Sequence, residues 1–237
     1  MQVYQYHAPE VLVQATQALN AALAVRRGKP TLLLFSGGSA LKIIAGLEPR
    51  VFGKHITIGV LDERYSSLPS ISNFAQLLNF PQTEIADRLG AKFIDTRIQS
   101  NETQVELAVR FERELRQWHE LYQNGQVIVT QGMGTDGHTA GILPYPENPD
   151  RFEQLFEAHS WVISYNAAGK NPFPHRITTT ITFLRDIVDR CVAFSTGPEK
   201  REVIGRVLAE TGELNVTPAR VLRAMRDVSL YTDIAER

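Results

Sequence analysis

Short apolar bursts, each ending in glycine or charge and separated from the next by a longer amphipathic run, recur along this chain, and that alternation leaves it few folds. Pro9 to Arg27 reads as an amphipathic helix, and Thr31-Leu32-Leu33-Leu34-Phe35-Ser36 after it as a buried strand. Gly37-Gly38-Ser39 turns the chain into a second helical stretch, Leu41 to Leu47, ahead of the strand Ile56-Thr57-Ile58-Gly59-Val60-Leu61, which ends at Asp62-Glu63-Arg64. A short strand from Ala91 to Ile94 precedes a long helix from Glu102 to Tyr122. On that helix Val105, Leu107, Ala108, Phe111, Leu115, Trp118 and Leu121 recur at helical spacing, as a core face. Gln126-Val127-Ile128-Val129-Thr130 is a strand that runs into Gly132-Met133-Gly134-Thr135-Asp136-Gly137-His138. Beyond Pro144, Trp161 to Tyr165 and Arg176 to Thr180 are strand candidates, and Cys191 to Ser195 feeds Thr196-Gly197-Pro198-Glu199-Lys200 and another helix. Strands alternating with helices predict an α/β fold, a largely parallel sheet with helices on both faces.

The 237 residues, 43% hydrophobic and 22% charged, suit one such domain over 1–237, and no repeat or linker divides them. Lys and Arg number 25 against 26 Asp and Glu, so no nucleic-acid footprint is visible. The one compact basic run, Arg26-Arg27-Gly28-Lys29, is expected to complement a helix C-terminus. Cys191 lies in an apolar strand and is expected to be core. Met1 to His7 lacks the features of a secretory leader, and no segment approaches the ~18 apolar residues that span a bilayer, so a cytoplasmic location without membrane contact is expected.

In a parallel sheet, ligands bind beyond the carboxyl ends of the strands, where most of these polar clusters fall. Ser36-Gly37-Gly38-Ser39 has the makings of an anion cradle at a helix N-terminus, although a tight strand-to-helix turn capped by Ser39 would read the same way. It is not a Walker loop, since no Gly-Lys-Ser/Thr follows. Gly132-x-Gly134-x-x-Gly137 matches the spacing of a dinucleotide fingerprint, yet Pro144 and Pro146 interrupt the helix that fingerprint requires. Asp136 and His138 on the same loop offer an acid–base histidine beside a carboxylate, the alternative being a structural histidine. Arg64, Arg176 and Lys200 sit near strand ends, where fixed cations could converge on a phosphate rather than serve as plain surface charges. The six histidines, His7, His55, His119, His138, His159 and His175, show no metal-ligand spacing, so no metal is expected.

Taken in order, Ser36-Gly37-Gly38-Ser39, Leu61-Asp62-Glu63-Arg64-Tyr65, Ser72-Asn73, Gly132 to Ala140, Arg176-Ile177-Thr178 and Thr196-Gly197-Pro198-Glu199-Lys200 resemble the lactonase branch of the glucosamine-6-phosphate isomerase/6-phosphogluconolactonase family. The resemblance runs from about Ala8 to Tyr231-Thr232-Asp233-Ile234-Ala235. It implies a modified Rossmann-like sheet. The deaminases of that family carry a pattern like Asp-Gly-His-Ile-Ala-Phe-Asn-Glu-Pro, whereas this chain has Leu143 at the glutamate position and Arg64 where a deaminase has tyrosine. The chain also departs from the lactonases. Gly141-Ile142-Leu143 replaces the usual Ser-Leu-Phe, Ala40 replaces a threonine, and the stretch from Arg64 to Ser72 is one residue short.

The resemblance implies hydrolysis of 6-phosphoglucono-δ-lactone to 6-phosphogluconate in the oxidative pentose phosphate pathway. His138 would be the base, Asp136 its orienting partner, and Arg64 a stabiliser of carbonyl charge. Ser36, Gly37, Gly38, Ser39, Arg176 and Lys200 would hold the phosphate, with Asp62 and Gly134 against the rest of the substrate. No cofactor is implied, the partner is a small sugar phosphate, and the oligomeric state is left open. Two alternatives stand beside it: a deaminase or isomerase acting on an amino-sugar phosphate, which would release ammonia from glucosamine 6-phosphate, and a non-catalytic sugar-phosphate sensor.

Overall fold

The computed structural model describes residues 1–25 and 28–234. Strand β1 (Gln2–Gln5) leads into α1 (Ala8–Val25), then β2 (Thr31–Phe35), a 3-10 helical segment (Gly38–Gly46), β3 (Ile56–Val60) and β4 (Asp62–Arg64). Next come α2 (Asn73–Leu78), α3 (Pro81–Arg88), β5 (Lys92–Phe93), α4 (Gln104–Leu121) and β6 (Gln126–Gln131). The remainder comprises α5 (Pro149–Phe156), β7 (Val162–Asn166), β8 (His175–Thr179), α6 (Ile181–Asp186), β9 (Arg190–Ser195), α7 (Arg201–Leu208) and β10 (Val228–Thr232).

Seven strands form one sheet in the order β1-β10-β9-β6-β2-β3-β5, every pairing parallel. At its centre Phe35 of β2 lies between Val60 of β3 and Thr130 of β6. Alternate side chains of β2 enter different cores. Leu32 and Leu34 pack with Leu107 and Phe111 of α4, Phe156 of α5 and Phe183 of α6. Leu33 and Phe35 pack with Val11 and Leu19 of α1, Ile43 and Ile44, and Phe74 of α2. Cover on both faces is why β2 reads as an unbroken apolar run rather than an alternating one. Each such buried side chain contributes roughly 1.5–3 kcal/mol of transfer free energy.

Helix α4 begins where Thr103 and Glu106 close a capping box, each side chain satisfying the other's backbone N–H. Trp118 is buried and donates from Nε1 to Thr57 Oγ1 at 3.1 Å. Val105 and Leu121, which the helical spacing includes in the core face, are instead exposed. Cys191 is core as expected, and burial pushes its thiol far above the ordinary range. Gly28 has the left-handed φ of +86° that suits a residue beyond a helix end, while Arg26, Arg27 and Ala235 lie outside the described residues. Among the described residues no helix is long and apolar enough to cross a membrane.

Three expectations are corrected. The strand candidates around Trp161–Tyr165 and Arg176–Thr180 are strands, but they belong to a separate antiparallel sheet of order β4-β8-β7. The short β7–β8 connection is the reason, because a parallel pairing needs a crossover of a dozen or more residues. The stretch expected as a helix from Leu41 to Leu47 is a 3-10 segment that starts at Gly38, so Ser39 lies inside its first turn and Gly37 takes the cap position. Asp62-Glu63-Arg64 is not the end of β3 but a strand of the second sheet, with Asp62 opposite Thr178 and Arg64 opposite Arg176.

Candidate active site

From central β2 the chain order runs outward in both directions, through β3 on one side and β6 on the other, so a crevice opens beyond their carboxyl ends. A cleft of about 280 Å³ lies there. Of the side chains expected at a site, all but Asp136 line it: Ser36 to Ser39 after β2, Asp62 and Arg64 of β4, Gly134 and His138 after β6, Arg176 of β8, and Lys200 after β9. Asp136 stands behind His138.

The turn after β2 is shaped by two glycines with different reasons to be glycine. Gly38 has φ +67°, a left-handed conformation, with open space where a Cβ would lie. Gly37 has an ordinary φ of −69°, but a Cβ there would come within 2.5 Å of the Asn73 side chain. The turn starts a 3-10 segment whose first N–H groups are unpaired by a cap side chain, and Gly37, Gly38 and Ser39 line the cleft. Ser36 N donates to Thr130 O at 3.1 Å, which ties the turn to β6.

The second sheet supplies the charged wall. Arg176 is 4% exposed, its Nη1 lies 3.5 Å from Asp62 Oδ2, and its Nε is buried without a hydrogen-bond partner. Arg64 also has a buried, unpartnered Nε, and its guanidinium lies 4.7 Å from the centre of the Phe173 ring. Burial lowers the Arg64 guanidinium from its ordinary value, with Asp62 opposing the shift and Arg176 adding to it. Donors left idle in a dry wall lose their full hydration unless an anion or carbonyl enters. Lys200 Nζ donates to Met133 O at 2.8 Å, and the turn that carries Lys200 is pinned by Gly197 N, which donates to both Asp233 oxygens at 3.0 and 3.2 Å.

After β6 the chain makes no helix; Thr139 and Ile142 form an isolated bridge, and the next helix is α5 at Pro149. The dinucleotide spacing therefore lacks its structural context. Gly134, Asp136 and His138 instead fold on one another. His138 Nδ1 meets Asp136 Oδ1 at 2.6 Å, and the His138 backbone N–H donates to the same oxygen at 3.1 Å. A Cβ on Gly134 would lie 2.1 Å from His138 Nδ1 and 2.4 Å from Asp136 Oδ1, so the dyad forms only beside glycine. Burial acts to raise the Asp136 carboxyl, but the hydrogen bonds and charge of His138 outweigh it and hold the carboxyl below its ordinary value. With Asp136 accepting at Nδ1, the free nitrogen of the neutral ring is Nε2, a proton acceptor.

The loop departures also find their places. Ile142 and Leu143 are 0% exposed and pack in the core, away from the cleft lining. Gly141 does line it, with φ +75°, and a Cβ there would lie 2.7 Å from Asp62 Cβ. Tyr165 donates from its hydroxyl to Gly141 O at 2.6 Å, and Thr178 Oγ1 donates to Ala140 O, so the second sheet holds this loop from below.

Several side chains given no role from the sequence complete the site. Glu63, 1% exposed, accepts from the N–H groups of Arg64, Asn73 and Phe74 at 2.7, 2.6 and 3.0 Å and from the hydroxyls of Ser72 and Thr96 at 3.0 Å each. Burial pushes its carboxyl upward, against these donors. Asn73 donates to Asp62 O at 2.9 Å and to Asp62 Oδ2 at 3.2 Å. Asn171, Pro172 and Phe173, at the tip of the β7–β8 hairpin, also face the cleft. A proline-flanked tip between two strand candidates was the signal available for them. Among the described residues no three His, Cys, Asp or Glu side chains are grouped to hold a metal ion.

A family profile described as glucosamine-6-phosphate isomerases/6-phosphogluconolactonase matches residues 6–231. Among solved structures, the chain is similar to a 6-phosphogluconolactonase from Trypanosoma brucei, at 21% identity and a TM-score of 0.76, covering 98% of this chain and 95% of that one. One from Thermotoga maritima matches at 20% identity and a TM-score of 0.73, with 98% of each chain covered. A monomeric glucosamine-6-phosphate deaminase matches at 19% identity and a TM-score of 0.71, with 98% of this chain and 97% of that one covered. Curated protein sequences yield no match. At these identities the structural likeness establishes the fold.

Proposed function

The chain belongs to the glucosamine-6-phosphate isomerase/6-phosphogluconolactonase family, and from that premise we propose that it hydrolyses 6-phosphoglucono-δ-lactone to 6-phosphogluconate, as a hydrolase of the oxidative pentose phosphate pathway. The observation that carries the reading is a cleft in which an aspartate-oriented imidazole shares the lining with Arg64, Arg176, Lys200 and a glycine turn. The phosphate binds at the turn of Gly37 and Gly38, with the hydroxyls of Ser36 and Ser39 and the cations Arg176 and Lys200 around it. Asp62 and Gly134 border the sugar.

The reaction is acyl transfer to water. His138 Nε2 takes a proton from the attacking water, whose oxygen bonds to the lactone carbonyl carbon while the carbonyl oxygen becomes an oxyanion beside Arg64. Collapse of that intermediate breaks the bond to the ring oxygen, which takes the proton back from the imidazolium. Asp136 holds the tautomer and supports the transient positive charge. Binding at the remote phosphate fixes where the carbonyl sits. The chemistry calls for no cofactor. The substrate is a small molecule rather than nucleic acid or membrane, and a cytoplasmic location and a single catalytic domain over 1–237 are part of the same proposal.

Leu143 disfavours the deaminase reading, because ring opening and amine chemistry need a proton-transferring side chain where this chain buries an alkyl group. The decisive experiment generates the lactone in situ with glucose-6-phosphate dehydrogenase and measures acid release above spontaneous opening. Acceleration by the protein is the expected result. Ammonia release from glucosamine 6-phosphate, with no acceleration of lactone opening, would replace this reading with the deaminase one.

A further inference from the structure

Arg64 and Arg176 occupy neighbouring positions in the cleft wall but are held in different ways. Arg176 is fixed at its edge, by the ion pair of Nη1 with Asp62 at 3.5 Å. Arg64 is fixed on its face, by the Phe173 ring at 4.7 Å. A guanidinium stacked on an aromatic ring keeps its in-plane N–H groups free, because the cation–π attraction acts perpendicular to the plane in which those groups donate. The buried, unpartnered Arg64 Nε accords with such an arrangement.

The ring itself is held by a stiff tip. Pro172 and Pro174 flank Phe173 and fix the backbone on either side. Phe173 N donates to Asn171 Oδ1 at 3.0 Å, and Ala167 N donates to Pro174 O at 2.7 Å, closing the base of the hairpin. Lys170 Nζ ties the same tip across to Pro144 O at 3.1 Å and Glu147 Oε1 at 2.5 Å. A half-exposed aromatic on a loop ordinarily has freedom to swing; this one is set against Arg64.

We propose that Phe173 is a positioning residue that presents the free edge of Arg64 to the carbonyl end of the substrate, so that it governs turnover and leaves phosphate binding to the glycine turn, Arg176 and Lys200. The inference rests on the lactonase reading above. It assigns the β7–β8 hairpin a part in the reaction that does not require it to touch the reacting atoms.

The test is a double-mutant cycle on the full chain with in situ lactone, supported by inhibition with inorganic phosphate as a readout of the anion site. Phe173→Leu should lower kcat by roughly three- to thirtyfold, the range a desolvated cation–π contact supplies. Its KM and its inhibition constant for phosphate should stay within about twofold of the parent. Phe173→Tyr, which keeps the aromatic face, should restore turnover, and in an Arg64→Ala background Phe173→Leu should cost nothing further. Equal losses for the Leu and Tyr variants, full additivity with Arg64→Ala, or a loss confined to KM would each overturn the proposal. Should Phe173→Leu fold poorly, the Tyr variant and a Phe173→Met variant keep the comparison, since only the former retains the ring. A parent protein that does not hydrolyse the lactone refutes the functional reading, whereas an active parent with uncoupled variants refutes this inference alone.

Discussion

The two sheets contribute to the cleft by different physical means. The seven-stranded parallel sheet delivers backbone: the glycine turn after β2, the Gly134–His138 loop after β6 and the Gly197 turn after β9 all leave its carboxyl edge. The three-stranded antiparallel sheet delivers charge, with Asp62, Arg64 and Arg176 on strands that pair directly. Positions of the first kind depend on where glycine permits the chain to go. Those of the second depend on buried polar groups satisfying one another, and a lost partner leaves a charge in a dry wall. The contrast separates a catalytic substitution at His138, which damages chemistry at constant stability, from one at Arg176, which damages binding and stability together.

The largest expected effect tests the first class. His138→Asn should fold normally and retain inorganic phosphate and 6-phosphogluconate binding, yet lose roughly 10²–10⁴-fold in kcat, the range of general-base assistance. A folded variant with full activity would remove His138 from the mechanism, and a lower melting temperature with lost phosphate affinity would make it structural.

Arg176→Ala probes the second class. It should weaken 6-phosphogluconate binding by ~1.5–3 kcal/mol, the value of hydrogen bonds to a charged group, and should also lower the melting temperature because the buried Asp62 loses its ion-pair partner. Calorimetry and thermal unfolding read the two effects separately. Loss of affinity with unchanged stability would blur the line between the sheets.

The glycine turn sharpens the contrast on a smaller scale. Gly37→Ala should cost ~1–3 kcal/mol of stability through overpacking against Asn73. Gly38→Ala should cost ~1–2 kcal/mol through its left-handed backbone instead. Shortening the obstacle with Asn73→Ser should relieve the first variant and not the second, as followed by denaturant unfolding.

Acid pH gives the smallest effect. Asp136 is held below its ordinary value, so the folded state binds its proton later than the unfolded chain does. Its contribution is therefore complete above the unfolded carboxyl value of ~3.9 and is lost as pH falls through the lower folded value. Asp136→Asn should flatten this limb of the melting curve against pH, by a modest fall in melting temperature near neutrality that vanishes at the acid end. An unchanged acid limb would show that the half-exposed pair contributes nothing to the fold.

The same division explains what could be read from the chain. The apolar bursts of β2, β3, β6 and β9 announce the parallel sheet, and the glycine loops at their ends mark the site, because burial on two faces and positive φ leave plain compositional signals. Asp62-Glu63-Arg64 looks like the end of a strand because acidic residues are depleted in strands. Only the five donors around Glu63, whose convergence no linear pattern displays, and the Arg176–Asp62 pair, which joins distant parts of the chain, make three charged residues tolerable there. Phe173 escaped notice for a related reason, since its partner Arg64 lies more than a hundred residues earlier. The Gly38–Gly46 segment has helical periodicity, and periodicity over so short a run does not distinguish 3-10 from α geometry.

The pairing of β1 with β10, Gln2 beside Ser229 and Gln5 beside Thr232, has a consequence during synthesis. Among the described residues β10 is the one sheet neighbour of β1, so this edge zips shut only when segments more than two hundred residues apart meet. Closing so large a loop is slow, so this edge forms late in folding. A nascent chain stalled short of Val228 would hold β9 with an open flank and β1 with no strand to join, two unpaired edges whose simplest remedy is a neighbouring nascent chain in the same condition.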